Sequence, residues 1–219
     1  MSNVYDCSVD SELLTGMRLA RTTLGRGELV VLPTDTVYGI AADAFNPAAV
    51  QRLLDAKGRT RQQPPPVLVS GTDTLTALAS VVPELVTRLV EEFWPGGLTV
   101  ILPAQQSLVW DLGETDGTVA LRMPDNEITL ELLRESGPLA VSSANKTGLA
   151  PAESAAAAHE MLGDSVGIYL DAGNGKSVPS TIVDATALTV DDGQATILRE
   201  GVISLEQLRE VLGDRLAND

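Results

Sequence analysis

The sequence has few of the residues that most often carry covalent chemistry or bind metals. Among 219 residues there is one cysteine, Cys7, and one histidine, His159. An internal disulfide and a metal site of His and Cys ligands are therefore excluded, and a Ser-His-Asp or Cys-His nucleophile is disfavoured. His159 lies in an alanine-rich segment, far in sequence from any serine placed for attack, and we interpret it as structural or solvent-exposed. We expect a chemistry that needs no protein nucleophile.

Long apolar runs and targeting signals are missing as well. Hydrophobic residues make up 44% of the chain, yet no apolar run approaches the ~20 residues of a membrane-spanning helix. The N-terminal sequence MSNVYDCSVDSELL has neither the basic start nor the apolar core of a signal peptide. With a single cysteine, these absences lead us to expect a cytoplasmic protein that does not associate with membranes.

Cations are scarce in this chain. There are 15 Lys and Arg against 30 Asp and Glu, a formal net charge of −15. Such a chain repels a nucleic-acid backbone, so an extended nucleic-acid surface is disfavoured. Three cations nevertheless stand within one short stretch, which suggests a bound anion. They are Lys57, Arg59 and Arg61, and further local candidates are Arg122 and Arg199.

Strand and helix patterns alternate along the chain, which is typical of an α/β fold with helices packed on a twisted, mostly parallel or mixed sheet. No change in composition separates two domains. We therefore expect residues 1–219 to form a single domain, with its core at roughly residues 10–212 and no second C-terminal domain. Strands are predicted at residues 29–32, 67–69, 98–102, 118–122, 139–142, 166–170, 180–184 and 195–199. Helices are predicted to begin near residues 11, 47, 73, 83, 127, 154 and 204.

The stretch of residues 29–61 is predicted to form a strand, a loop and a helix. The loop opens with three residues that carry hydroxyl or carboxylate groups, Thr34, Asp35 and Thr36. The helix has an N-cap signal at Asn46 and a stop signal at Gly58. A polar turn after a buried strand, followed by a helix that ends in cations, is compatible with an anion site.

Polar residues also follow other predicted strands, at the edge where open α/β sheets bind their ligands. No GxxxxGK(S/T) loop and no GxGxxG turn is present, so a nucleotide would need another cradle. Each candidate has a simpler interpretation as a turn, a cap or a surface ion pair, and Lys57 is also favoured by the dipole of the helix that it ends. The candidates are Arg122, residues 142–145, residues 180–181 and Arg199.

Seven short motifs are distributed over nearly the whole chain. They are PTDTVYGI at residues 33–40, KGR at 57–59, FWPGGLT at 93–99, LRMP at 121–124, SSAN at 142–145, STIVD at 180–184 and LREG at 198–201. In this order and with these gaps, the motifs closely resemble the YrdC-like family of threonylcarbamoyl-AMP synthases. The complete set is far more specific than any one of its members.

The resemblance implies a twisted sheet with helices on both faces and a large concave cavity. It also implies that L-threonine, bicarbonate and ATP are converted into L-threonylcarbamoyladenylate and pyrophosphate, which makes the chain a nucleotidyltransferase. Mg²⁺ is expected to accompany ATP, with no dedicated metal site on the protein. A partner tRNA threonylcarbamoyl transferase complex would then modify adenosine 37 of tRNA, so this chain would contact tRNA only indirectly or weakly.

The same resemblance implies roles for individual residues. Lys57 and Arg59 would be the catalytic cations that balance the triphosphate and the departing pyrophosphate. Arg122 would pair with the threonine carboxylate. The threonine-binding residues would be Thr36, Arg122, Ser142 and Ser180. The ATP-binding residues would be Lys57, Arg59, Gln63, Thr118, Ser143, Ala144, Asn145 and Arg199.

Two positions depart from the family pattern, and two other functions stay open. Gln63 stands where many members have Asn, and Asn126 stands where many have His. One alternative is a carbamoyltransferase domain that forms carbamoyl-adenylate, as in larger maturation enzymes, although the cysteine pairs that hold zinc in those enzymes are missing here. The other is a non-catalytic RNA-binding module, which the net charge of −15 disfavours.

Overall fold

The computed structural model describes residues 3–217, which form one ten-stranded open sheet with seven α-helices. The strands are β1 (Val4–Asp6), β2 (Val30–Leu32), β3 (Gly39–Asp43), β4 (Val67–Leu68), β5 (Leu98–Pro103), β6 (Thr118–Arg122), β7 (Leu139–Ser143), β8 (Ile168–Asp171), β9 (Thr181–Asp184) and β10 (Thr196–Arg199). The helices are α1 (Asp10–Gly25), α2 (Pro47–Lys57), α3 (Asp73–Leu78), α4 (Glu84–Phe93), α5 (Glu127–Ser136), α6 (Ala155–Leu162) and α7 (Leu205–Leu212). Within residues 3–217, no helix combines the length and hydrophobicity needed to cross a membrane.

The sheet is mixed, as predicted. Its strand order is β1-β8-β2-β3-β7-β4-β6-β5-β9-β10. Parallel pairs are β1 with β8, β2 with β8, β4 with β6, and β5 with β9, and the other neighbours are antiparallel. The predicted α/β class is therefore confirmed.

One half of the sheet has helices on both faces. In β2, Val30 and Leu32 belong to a core cluster that includes residues of α1 and α5. Val31 points to the other face and joins a cluster with residues of α2 and α6. This alternation follows from the two-residue period of a strand, and it explains why β2 reads as a continuous apolar run.

The other half of the sheet has helices on one face only. In β5, Leu98, Val100 and Leu102 are buried in a cluster with residues of α4 and α7. Thr99 and Ile101 lie on the opposite face, where they line a cavity. Within residues 3–217 none of the cavity-lining residues belongs to a helix, so the fold leaves space for a ligand beside the strands.

Helix boundaries agree well with the capping signals. The side chain of Asn46 accepts hydrogen bonds from the backbone N–H groups of Ala48 and Ala49, at 3.1 and 3.2 Å. Gly58 ends α2 in the left-handed conformation, with φ of 63°. Ser204 and Gln207 form the expected capping box at the start of α7.

The prediction of a loop between residues 34 and 45 is wrong. Strand β3 lies within it and pairs with β2 on one side and β7 on the other. Its sequence, GIAAD, is rich in Gly and Ala, which have low β propensity, so the strand depends on burial between two neighbours. The three-residue strand β1 was missed as well, because so short a segment shows no periodicity.

Candidate active site

A cavity of about 440 Å³ lies on the face of β5 that presents Thr99 and Ile101. Residues of β5, β6 and β9 form its floor, and residues 34, 36–39 and 64–66 contribute to its walls. Three arginines line it, Arg59, Arg122 and Arg199. None of the cavity-lining residues in the described part of the chain is Asp or Glu, so the cavity has a positive lining on an acidic protein.

Arg122, the last residue of β6, is held by three protein acceptors. Its Nε donates to the Gly96 carbonyl at 2.9 Å, Nη1 to Thr36 Oγ1 at 2.9 Å, and Nη2 to Asp35 Oδ1 at 2.6 Å. Burial lowers the pKa of the Arg122 guanidinium, and the charge of Asp35 opposes that shift. An arginine remains charged despite such a shift, so Arg122 provides a fixed cation at the cavity wall.

The turn after β2 is both a structural turn and part of the cavity. Thr34 Oγ1 donates to the Val37 carbonyl at 2.7 Å and accepts from the Thr36 N–H at 3.1 Å. These local bonds are those of a hydroxyl-stabilised turn. They place the buried hydroxyl of Thr36 against Arg122, so the simpler interpretation and the functional one are compatible here.

A second arginine, Arg199, lies at the end of β10 and is bonded to Ser180. Its Nη2 donates to Ser180 Oγ at 2.9 Å and its Nε to the Ser180 carbonyl at 3.0 Å. The Ser180 hydroxyl also lies 2.9 Å from Thr99 Oγ1 on the adjacent strand β5. Burial lowers the pKa of Arg199, as do the nearby charges of Arg122 and Arg59. Arg199 is thus close enough to Arg122 and Arg59 to be repelled by both, and an anion would relieve that repulsion.

The third arginine, Arg59, follows the end of α2. Its Nη1 donates to Ser142 Oγ at 2.8 Å. Its Nε is the buried side-chain polar atom that lacks a hydrogen-bond partner within residues 3–217. Burial lowers the pKa of this guanidinium. A buried donor without an acceptor costs free energy, and a ligand oxygen would remove that cost.

Lys57 is buried beside the cavity but is not part of its lining. Its Nζ donates to the Ser143 carbonyl, to the Asn145 carbonyl at 2.6 Å and, at 3.4 Å, to Asn145 Oδ1. The Asn145 amide in turn donates to the carbonyls of Lys146 and Leu149. Burial first, and the charge of Arg59 second, lower the pKa of Lys57 to about 8. Lys57 therefore fixes the loop after β7, and all three of its donors have protein acceptors.

Arg61, the third cation of the cluster suggested to hold an anion, lies elsewhere. It forms an exposed ion pair with Asp111 at 2.6 Å. The Glu114 N–H donates to the Arg61 carbonyl at 2.8 Å, which ties residues 111–114 to the segment after α2. The suggestion that Arg61 helps to hold the anion is therefore not supported, because Arg61 does not line the cavity.

The structure brings most of the predicted site residues together. The cavity is lined by Thr36, Arg59, Thr118, Arg122, Ser142, Ser143, Ser180 and Arg199. Four predicted residues do not line it: Lys57, Gln63, Ala144 and Asn145. Gln63 is exposed in a turn, and Ala144 is buried in a core cluster. Contacts of all these residues with a ligand stay predictions.

Sequence reasoning missed part of the cavity wall. Thr99 is a fully buried polar residue in an otherwise apolar strand, and its alternation with Leu98 and Val100 could have indicated a second, polar face of β5. Leu112 reaches the cavity from the loop between β5 and β6. No local sequence pattern predicts that Leu112 lines the cavity, because its position depends on the ion pair between Arg61 and Asp111, which joins two loops.

Together, fold and site define an α/β protein with a cavity that is lined by three arginines and no carboxylate. The residues in it can hold negative charge and orient ligand groups, but they provide no nucleophile activated by histidine. Two hydrogen bonds join residues predicted to bind threonine to residues predicted to bind ATP. They connect Arg59 with Ser142 and Arg199 with Ser180. The two predicted subsites are therefore adjacent.

Comparison with known proteins gives the family. The Sua5/YciO/YrdC family model, described as "Telomere recombination", matches residues 22–201. A Mycobacterium tuberculosis (strain H37Rv) protein is 46% identical over 214 residues, which cover 97% of this chain and 96% of the relative. The chain belongs to the Sua5/YciO/YrdC family.

Two further relatives are longer than this chain. The threonylcarbamoyl-AMP synthase of Bacillus subtilis (strain 168) is 39% identical over 199 residues, covering 89% of this chain and 56% of the relative. The crystal structure of Pyrococcus abyssi Sua5 complexed with L-threonine superposes with a TM-score of 0.86 at 32% identity. The match covers 97% of this chain and 62% of that one. The fold implied by the motif resemblance is thereby confirmed.

Proposed function

We propose that this protein is an L-threonylcarbamoyladenylate synthase, which uses L-threonine, bicarbonate and ATP and releases pyrophosphate. The observation that carries the proposal is the meeting of Arg59, Arg122 and Arg199 in one cavity whose lining has no carboxylate. A carboxylate substrate and a triphosphate together supply enough negative charge for three guanidinium groups. The names of the relatives support the same assignment.

The reaction fits the absence of a protein nucleophile. An oxygen of threonine carbamate attacks the α-phosphorus of ATP, a new P–O bond forms, and the bond to pyrophosphate breaks. Such a transfer needs position and charge stabilisation more than covalent help from the protein. Arg122 would bind the threonine carboxylate, while Arg59 and Arg199 would bind phosphate oxygens. The bonds of these two arginines to Ser142 and Ser180 would keep the phosphates next to threonine.

Lys57 would act on the phosphates indirectly, through the loop after β7 that it holds in place. Its ammonium group fixes residues 143 and 145 and adds positive charge near Arg59. Residue 143 lines the cavity, so the position of this loop determines where its backbone and side-chain groups meet ATP. We therefore assign Lys57 to positioning and charge balance, and Arg59 to direct contact with the phosphates.

Mg²⁺ would arrive with ATP. Residues 3–217 contain no group of three His, Cys, Asp or Glu side chains arranged to hold a metal ion. The cavity lining offers hydroxyl and guanidinium groups, and guanidinium groups do not bind cations. We therefore propose that Mg²⁺ enters with ATP as its counter-ion.

The product would serve the threonylcarbamoyladenosine modification of tRNA at position 37. A partner transferase complex would receive threonylcarbamoyl-AMP and transfer the group to adenosine, and this step would take place in the cytoplasm. Direct binding of tRNA to this chain is disfavoured because its net charge is −15.

Pyrophosphate release from ATP tests the proposal. Purified protein is incubated with ATP, Mg²⁺, bicarbonate and L-threonine, and threonine and bicarbonate are each left out in turn. Release is expected only with the complete mixture. Release that continues without threonine would refute the proposed substrate and would favour a carbamoyl-adenylate activity or a simple ATPase.

A further inference from the structure

Asp35 has a nearly buried carboxylate next to the cavity, and the proposed reaction gives this carboxylate no role. It lies between Thr34 and Thr36, which line the cavity, but it is not itself part of the lining. Its side chain is 13% exposed, and that of its partner Arg122 is 8% exposed. Keeping a carboxylate there costs solvation free energy, which has to be offset by specific bonds.

One oxygen of the Asp35 carboxylate accepts hydrogen bonds from two other segments of the chain. Asp35 Oδ1 accepts from Arg122 Nη2 at 2.6 Å and from the backbone N–H of Asp125 at 3.0 Å. The turn after β2, the end of β6 and the segment leading into α5 thus meet at a single atom. The Asp125 N–H fixes the carboxylate, and the carboxylate in turn fixes the guanidinium.

The remaining donors of Arg122 are suited to one ligand carboxylate. Gly96, Thr36 and Asp35 occupy three of the five N–H groups of the guanidinium. The other two N–H groups have no acceptor in the part of the chain that the structure describes, and Arg122 lines the cavity. Two donors held in a fixed plane match the two oxygens of a carboxylate, provided that the plane does not rotate.

We propose that Asp35 is a positioning residue that sets the plane of the Arg122 guanidinium for the carboxylate of the amino-acid substrate. The inference rests on the proposed function for the identity of that amino acid. Asp35 acts on the binding of threonine and not on the binding of ATP. Loss of its negative charge leaves the cavity more positive, so the affinity for ATP should stay the same or rise.

The test is the Asp35→Asn variant, which preserves the shape and removes the charge. Titration calorimetry measures the binding of L-threonine and of ATP separately, and steady-state kinetics gives KM for each substrate. We expect the Kd and KM for threonine to rise at least tenfold, with those for ATP unchanged or lower. Asp43→Asn is the matched control. Asp43 is the last residue of β3, and its carboxylate accepts a hydrogen bond from the Phe45 N–H at 2.9 Å. Asp43 does not line the cavity, and no bond to Arg122 is present in the described residues.

Combining the Asp35 substitution with a substitution of Arg122 shows whether Asp35 acts through Arg122. In Arg122→Lys, which lacks the planar fork, adding Asp35→Asn should change the Kd for threonine less than twofold. Asp35→Glu is the second single variant, and it decides the matter if Asp35→Asn fails to fold. It keeps the charge but displaces it by one methylene, so the same selective loss of threonine binding is expected.

Three results would overturn the inference. They are an unchanged affinity for threonine, an equal loss of threonine and ATP binding, and a full effect of Asp35→Asn in the Arg122→Lys background. Wild-type protein that binds no threonine would overturn it as well. Wild-type protein that binds threonine but releases no pyrophosphate would refute the proposed activity alone, because the binding measurements would still test Asp35.

Discussion

Two arginines of the cavity, Arg59 and Arg199, differ in their partners from four arginines of the outer surface. On the surface, Arg21, Arg61, Arg88 and Arg134 each form an ion pair with Asp or Glu. In the cavity, Arg122 pairs with Asp35, while Arg59 and Arg199 bond to serine oxygens and have no carboxylate partner within residues 3–217.

The difference shows where this acidic protein keeps positive charge available. The chain has a net charge of −15, so carboxylates are plentiful. Each exposed arginine named above forms an ion pair with one of them. Arg59 and Arg199 instead bond to hydroxyl and carbonyl groups, which leave their charge uncompensated. Arg122 has a carboxylate partner in Asp35, so the uncompensated positive charge of the cavity lies on the other two arginines.

The largest effect on stability is expected from breaking the buried pair. Arg122→Ala leaves the carboxylate of Asp35 without its cation, and the free energy of unfolding should fall by about 3–5 kcal/mol. The exposed ion pairs of Arg134 make Arg134→Ala the control, with an expected loss below about 1 kcal/mol. Urea unfolding of both variants checks the difference, and equal losses would show that burial does not separate the two classes.

The largest effect on turnover is expected at the uncompensated cations. Arg59→Ala and Lys57→Ala should each lower kcat at least tenfold, since one lost electrostatic contact costs on the order of 2–4 kcal/mol in the transition state. Thermal unfolding should show that both variants remain folded. Arg88→Ala, which breaks an exposed pair with Glu84 in α4, should retain normal turnover. Unchanged turnover in both Arg59→Ala and Lys57→Ala would contradict the assignment.

The pKa of Lys57 makes the site sensitive to pH. As the pH rises through about 8, the amine loses its charge and one of its three donors, so kcat/KM for ATP should fall. In Lys57→Met this decrease should be absent. The folded pKa lies below the unfolded value, so the unfolded chain binds more protons between about pH 8 and 10.5, and the free energy of unfolding should rise with pH in that window. A kcat/KM profile that is identical in the variant would rule Lys57 out as the titrating group.

The smallest effect is expected at Arg61. Its pair with Asp111 is exposed on both sides, so Arg61→Ala should cost about 0.2–1 kcal/mol of stability. The KM for ATP should change by less than about twofold, because the compensated Arg61 charge lies outside the cavity. A tenfold rise in that KM would mean that Arg61 does act on the anion, as the motif cluster had suggested.

Most of the fold was predictable because strong local signals agree with the tertiary structure. The Asn46 and Gly58 caps mark α2, and the Ser204–Gln207 capping box marks α7. β3 was not predictable in this way, since its Gly and Ala residues form a strand only because two neighbouring strands bury them. Local propensity is a weak guide where tertiary context supplies the stabilisation.

The candidate site was predictable by residue type and less so by geometry. The motifs identify Arg59, Arg122 and Arg199, and the structure places all three in the cavity. They cannot show that the Lys57 ammonium faces backbone carbonyls or that Arg61 faces Asp111, because side-chain direction at the end of a helix depends on the loops packed against it. The role of Asp35 likewise appears only when the ends of three segments meet.

The most direct test is a crystal structure with L-threonine and a non-hydrolysable ATP analogue bound. The account predicts that the threonine carboxylate accepts from Arg122, that phosphate oxygens accept from Arg59 and Arg199, and that Arg122 keeps its bond to Asp35. A structure in which threonine or the phosphates bind away from these arginines would contradict it.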